Sequence, residues 1–220
     1  MIPLKDDIPS RRRPYVMITI LILNILVFIY ELTLGNRITY FFHTFGVIPA
    51  RIIFDTTFFT ILTLFTSMFI HGGFEHIIGN MLYLWIFADN VEDAFGHGKF
   101  IILYFLSGLM GSLLQILISP HSEIPLIGAS GAISGILGAY IILYPGARVL
   151  ALIPIFYFLR LTYVPAVIFL GFWFLLQFLY GLGSLGAQGG VAWFAHIGGF
   201  LTGVLFALPI KRRIRRRLYF

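Results

Sequence analysis

The chain alternates long apolar runs with short polar breaks. Runs of about 20 mostly apolar residues are what a helix needs to cross a bilayer. Six spans are predicted on that basis: 15–34, 76–95, 98–118, 130–144, 161–180 and 191–210. Two shorter apolar runs, 57–70 and 149–159, have the length of interfacial or re-entrant segments. Pro154 inside the second argues against a free-standing helix there. The first run is long enough to stay as an anchor rather than a cleaved leader. The pattern predicts an all-α, polytopic membrane protein: a six-helix core over 15–210, between basic tails at 1–14 and 211–220.

Charge orients the spans. With the N-terminus in the cytoplasm, six spans return the C-terminus there. Of the 15 basic residues, 13 then fall on the cytoplasmic side, and Arg37 and Arg51 alone lie outside. That is a strong positive-inside bias. A seventh span at 57–70 would put the basic C-terminus outside, so it is rejected. Composition agrees: of 220 residues, 59% are hydrophobic and 11% charged, against about a quarter charged in a soluble domain. The net charge of +6 does not point to nucleic acid. The basic residues cluster at Arg11–Arg13 and Lys211–Arg217, beside apolar spans, where they meet lipid head groups. With no cysteine, disulfides and thiolate metal sites are excluded.

Three spans carry polar residues at their outer starts. The second opens with His71, Glu75, His76 and Asn80, the fourth with Gly128-Ala129-Ser130-Gly131, and the sixth with His196. His196 lies about 7–8 Å down at 1.5 Å per residue. The fourth span has about 15 residues, roughly 22 Å, so a helix anchored at the inner face by Pro145 and Arg148 begins below the outer surface. Ser130 and His196 are then level, in a protein-lined or watery cavity, because irregular backbone cannot face lipid. Gly131 and Gly135 leave a smooth stripe on the fourth span, and Gly199 and Gly203 one on the sixth. Such stripes let helices approach closely, as a serine–histidine hydrogen bond would need. Ser107, Ser112 and Ser134 are read as packing, and Glu75 as a solvated turn residue.

Other chemistries fit less well. A zinc protease would need H-E-x-x-H or H-x-x-E-H, and His71-x-x-x-Glu75-His76 is one residue too long. Neither metal nor cofactor is called for. A transporter predicts charged residues within spans and repeated halves; Glu31 is the single candidate, and no repeat is visible.

These residues together resemble the rhomboid intramembrane serine proteases. Gly128-Ala129-Ser130-Gly131 is similar to their G-x-S-G motif, Ala195-His196-x-x-Gly199-x-x-x-Gly203 to A-H-x-x-G-x-x-x-G, and His76-x-x-x-Asn80 to H-x-x-x-N. Asn90-Val91-Glu92-Asp93 through Gly96 resembles the acidic turn after the second span, and the likeness runs from about 70 to 210. One departure is Leu62-Thr63, where many members carry Trp-Arg. The resemblance implies peptide-bond hydrolysis within the membrane. Ser130 would be the nucleophile and His196 the general base, then acid. The Ser130 backbone N–H, Asn80 and His76 would hold the oxyanion. A helix start offers free N–H donors and a positive dipole end, and His76 and Asn80, four apart, share a helix face. No acidic residue follows Glu123, so a Ser–His dyad is expected, oriented by packing and neutral hydrogen bonds, with a rate rising as His196 loses its proton. The implied substrates are single-span membrane proteins with helix-weakening residues near the outer interface, entering sideways between the second and fifth spans. Trp173, Phe174 and Phe178 are candidates for that gate or for plain lipid contact. The alternative is a rhomboid-like pseudoprotease that binds membrane clients without cutting them.

Overall fold

The computed structural model describes residues 1–155, 158–185 and 190–218. Strand β1 (Ile2–Asp6) precedes the long helix α1 (Tyr15–Thr33), and three short helices follow, α2 (Ile38–Phe45), α3 (Pro49–Phe54) and α4 (Phe58–Thr66). Then come α5 (Phe74–Phe95), α6 (His97–Ile118) and α7 (Ser130–Leu143). A hairpin of β2 (Arg148–Ile155) and β3 (Phe158–Pro165) leads to α8 (Ala166–Gly183) and α9 (Trp193–Leu218).

The architecture is mostly helical and built for lipid. Four helices, α1, α6, α8 and α9 to Lys211, are long and apolar enough to cross a membrane. A fifth crossing results if α4 with its trailing 3-10 turn and α5, bent by 78°, count as one broken span. The 57–70 run is thus the first limb of that bend. At 14 residues α7 is short, and it is the centre of the bundle: every residue from Gly131 to Tyr140 is buried. It packs against α5, α6 and above all α9.

The all-α expectation is corrected by a three-stranded antiparallel sheet in the order β1-β2-β3. The apolar run at 149–159 is strand over its described part, where Val149 and Ala151 turn into the core. Its period of two was hidden because nearly every residue in it is apolar, so neither face reads as polar. Pro154 sits near the strand end, where the ladder tolerates it. The fifth helix begins at Ala166 rather than 161, because 161–165 pair in β3 and Pro165 is the extended residue just before the helix. The 1–14 stretch is partly strand, with β1 paired to β2. Helix α9 runs past 210, with Pro209 inside it, to Leu218. Phe156 and Tyr157 of the 149–159 run, and Tyr219 and Phe220 of the 211–220 tail, lie outside the described residues.

Polar contacts lock the sheet end of the bundle. Tyr140, near the far end of α7, donates to Asp6 at 2.5 Å, and Tyr144 donates to the Asn90 carbonyl at 3.0 Å. The acidic stretch read as a turn forms the last turns of α5. Glu92, 1% exposed, accepts the backbone N–H of Val16 and Met17 at 3.0 and 2.7 Å, satisfying the free donors at the start of α1. Ser10 donates to Asp89. At the opposite end, Glu31 of α1 accepts the His71 backbone N–H at 3.1 Å, which gives this buried carboxyl a structural task.

Candidate active site

Ser130 is the first residue of α7, so its N–H and those of the first turn have no intrahelical acceptor. The loop before it is drawn tight by Gly128, whose φ of +123° favours glycine and whose N–H donates to the Ser67 carbonyl at 2.9 Å. A Cβ on Gly128 would stand 2.6 Å from His76 Nε2, so a side chain is excluded there on two counts. Ser134, one turn on, donates to the Ser130 carbonyl at 2.6 Å, a packing role as read from the sequence.

His196 enters from α9. The two helices meet backbone to backbone: a Cβ on Gly199 would lie 1.9 Å from the Gly131 carbonyl oxygen, and one on Gly203 1.8 Å from that of Gly135. The result is a contact of 2.8 Å between Ser130 Oγ and His196 Nε2. The imidazole is 8% exposed, with Trp173 and Trp193 ring centres 6.0 and 6.1 Å away. Its other nitrogen, Nδ1, is 2.7 Å from Oε1 of Gln177 on α8. The sequence reading missed Gln177. The available signal was a lone amide in an otherwise apolar span, but nothing in the sequence placed it beside a residue 19 positions on.

His76 and Asn80 lie one turn apart on α5. The Gly72 N–H donates to His76 Nδ1 at 3.3 Å. A neutral His76 accepting at Nδ1 carries its proton on Nε2, the atom beside Gly128. Asn80 is 7% exposed, and its Nδ2 has no hydrogen-bond partner among the described residues. A buried donor without an acceptor is rare. Thus Ser130 and His196 meet directly, His76 Nε2 lies beside Gly128 in the loop before Ser130, and Asn80 supplies an unused donor on the face shared with His76.

The three aromatic gate candidates divide. Trp173 and Phe174 pack inward on Phe200, at 6.3 and 4.4 Å between ring centres, while Phe178 is 44% exposed. Helix α8 leans on α9 and meets α5 through Tyr83 and Trp173 at 6.5 Å.

A polytopic membrane bundle holding a half-buried serine, at the start of a short central helix, against a buried histidine defines a narrow class, and comparison with known proteins agrees. The Rhomboid domain model matches residues 59–213. The chain is 32% identical over 159 residues to rhomboid protease GluP of Bacillus subtilis, covering 70% of this chain and 28% of that protein. It is 30% identical over 163 residues to rhomboid protein 1, mitochondrial, of Saccharomyces cerevisiae, covering 71% and 44%. To RHOMBOID-like protein 4 of Arabidopsis thaliana it is 37% identical over 150 residues, covering 68% and 34%. The matches thus span less than half the length of these relatives. The chain belongs to the rhomboid family.

Proposed function

We propose that the protein is an intramembrane serine endopeptidase that hydrolyses peptide bonds in or near the transmembrane segments of other membrane proteins. The observation that carries this reading is the 2.8 Å Ser130–His196 contact between two tightly apposed helices. His196 Nε2 takes the Ser130 proton as Oγ attacks the scissile carbonyl carbon. The tetrahedral oxyanion accepts from the Ser130 N–H, His76 Nε2 and Asn80 Nδ2. As the C–N bond breaks, the imidazolium returns its proton to the leaving amine. Water then hydrolyses the acyl-enzyme by the same steps. No carboxylate takes part.

On this reading the core over 15–210 has six spans: α1, α5, α6, the short α7, α8 and α9. The 1–14 and 211–220 stretches face the cytoplasm in a cell membrane, an orientation that the positive-inside bias supports. The partners are lipids and single-span substrates, entering sideways between α5 and α8.

The test is fluorophosphonate labelling of the purified protein with cleavage of a transmembrane substrate. Ser130→Ala removes one oxygen and should abolish both while leaving a folded, detergent-stable protein. A Ser130→Ala variant that still cleaves would refute the assignment. A wild-type protein that neither labels nor cleaves would favour the client-binding alternative.

A further inference from the structure

At the Ser130–His196 pair lies a buried polar contact that the proposed chemistry does not use: Gln177 against the far nitrogen of His196. Gln177 is 6% exposed in a span with no other buried polar side chain. Its Nε2 lies 3.3 Å from the carbonyl oxygen of Trp173, one turn back on α8. A backbone carbonyl can only accept, so the atom of Gln177 facing Trp173 is its NH2 donor. The amide oxygen must then face His196 Nδ1, at 2.7 Å. An amide oxygen also only accepts, so Nδ1 carries the imidazole proton. That leaves Nε2 with a free lone pair toward the Ser130 hydroxyl.

We propose that Gln177 is the positioning residue of this site: held by the Trp173 carbonyl, its amide oxygen fixes His196 as the Nδ1–H tautomer and sets the imidazole plane toward Ser130. The inference rests on the reading of His196 as general base. Gln177 does the orienting part of what a triad carboxylate does in soluble serine proteases, without its negative charge. An ionised carboxylate at that depth would be costly unless paired, whereas the amide makes both of its bonds inside the bundle. The chain of contacts runs from the α8 backbone to Gln177, His196 and Ser130, so the packing of α8 on α9 bears directly on the base.

Two substitutions separate positioning from packing because they predict opposite orders. Gln177→Met keeps volume and loses the acceptor; Gln177→Glu keeps an acceptor toward Nδ1 whether or not it is protonated. With full-length protein in detergent micelles, we expect Gln177→Met to lower kcat about 10–10²-fold with KM unchanged, less than the ~10⁴-fold loss on neutralising a triad aspartate. Gln177→Glu should recover most of that loss. Nitrogen-15 spectra of histidine-labelled protein, with His196 assigned by its absence in His196→Ala, should show the Nδ1–H tautomer in the wild type and a mixture in Gln177→Met. Wild-type kcat in Gln177→Met, a glutamate variant weaker than the methionine one, or a wild-type His196 protonated on Nε2 would each overturn the proposal. If Gln177→Met does not fold, the wild-type tautomer decides alone. Failure of the protease reading looks different: Ser130→Ala would then behave as wild type, while the tautomer still reads the Gln177 contact.

Discussion

Replacing Gly203 with alanine tests how closely the Ser–His contact depends on the seam between α7 and α9. A Cβ there would sit 1.8 Å from the Gly135 carbonyl oxygen, 2.6 Å from its carbon and 2.8 Å from its Cα. All three are backbone atoms, so no side chain can swing aside. Reaching even 3.0 Å, below which real Cβ atoms essentially never approach, requires the helices to part by about 1.2 Å, the difference between the two distances. Gly203 lies seven residues from His196, roughly 10 Å along the helix. If α9 shifts as a rigid body, the 2.8 Å Ser130–His196 contact opens to about 4 Å, outside the ~2.6–3.2 Å reach of a nucleophile–base pair. The expected result is a fall in turnover of about 10²-fold, typical of a 1 Å misplacement, with about 1–3 kcal/mol of destabilisation from overpacking. Gly171→Ala on α8 is the control: nothing lies within 4 Å of its added Cβ, and stability should hold or rise by up to about 1 kcal/mol. The assay is turnover of a transmembrane substrate alongside thermal unfolding of each variant. Unchanged turnover and melting temperature in Gly203→Ala would refute the close-seam argument.

Three further outcomes are expected. Asn80→Ala should lower turnover about 10²–10³-fold, the scale for losing one oxyanion donor, while fluorophosphonate labelling of Ser130 persists; an unchanged rate would make Asn80 structural. Changing Glu31, Asp55, Glu75 and Glu123 singly to their amides should leave turnover within about tenfold, since His196 Nδ1 bonds an amide and not a carboxylate; a ~10⁴-fold loss in any one would indicate a triad acid. At the sheet end, burial pushes the Asp6 carboxyl up from 3.8 to about 6, with the Tyr140 hydroxyl pulling it down and Asp89 and Asp7 adding to the rise. The folded chain therefore holds this proton more tightly than the unfolded one, so its stabilisation is full below about pH 4 and is lost as pH rises through 6. Full linkage would give about 3 kcal/mol, reduced to about 1 kcal/mol because the carboxyl is only half-buried. Asp6→Asn should flatten the fall in melting temperature between about pH 4 and 6, and a slope equal to wild type would count against the shift.

What the sequence determined by itself is whatever depends on local pattern and short spacing. Apolar runs of bilayer length located α1, α5 and α6 and the start of α9 to within a few residues, because the apolar length needed to cross lipid is fixed by its thickness. The G-x-S-G and A-H-x-x-G motifs brought Ser130 and His196 into view, since a site between helices needs small residues beside its reactive ones. The sheet was not legible: its inward residues, Val149 and Ala151, alternate with leucine rather than with polar residues, so the period of two left no mark, and its third strand comes from residues 2–6, some 145 positions away. Gln177 was not legible either. One amide in an apolar helix is compatible with packing, lipid contact or chemistry. Only the docking of α8 on α9 brings its oxygen within 2.7 Å of His196 Nδ1, and only the Trp173 carbonyl behind it determines which end of the amide faces the ring. The setting of His196 is a three-body arrangement across two helices, and no spacing within either one encodes it.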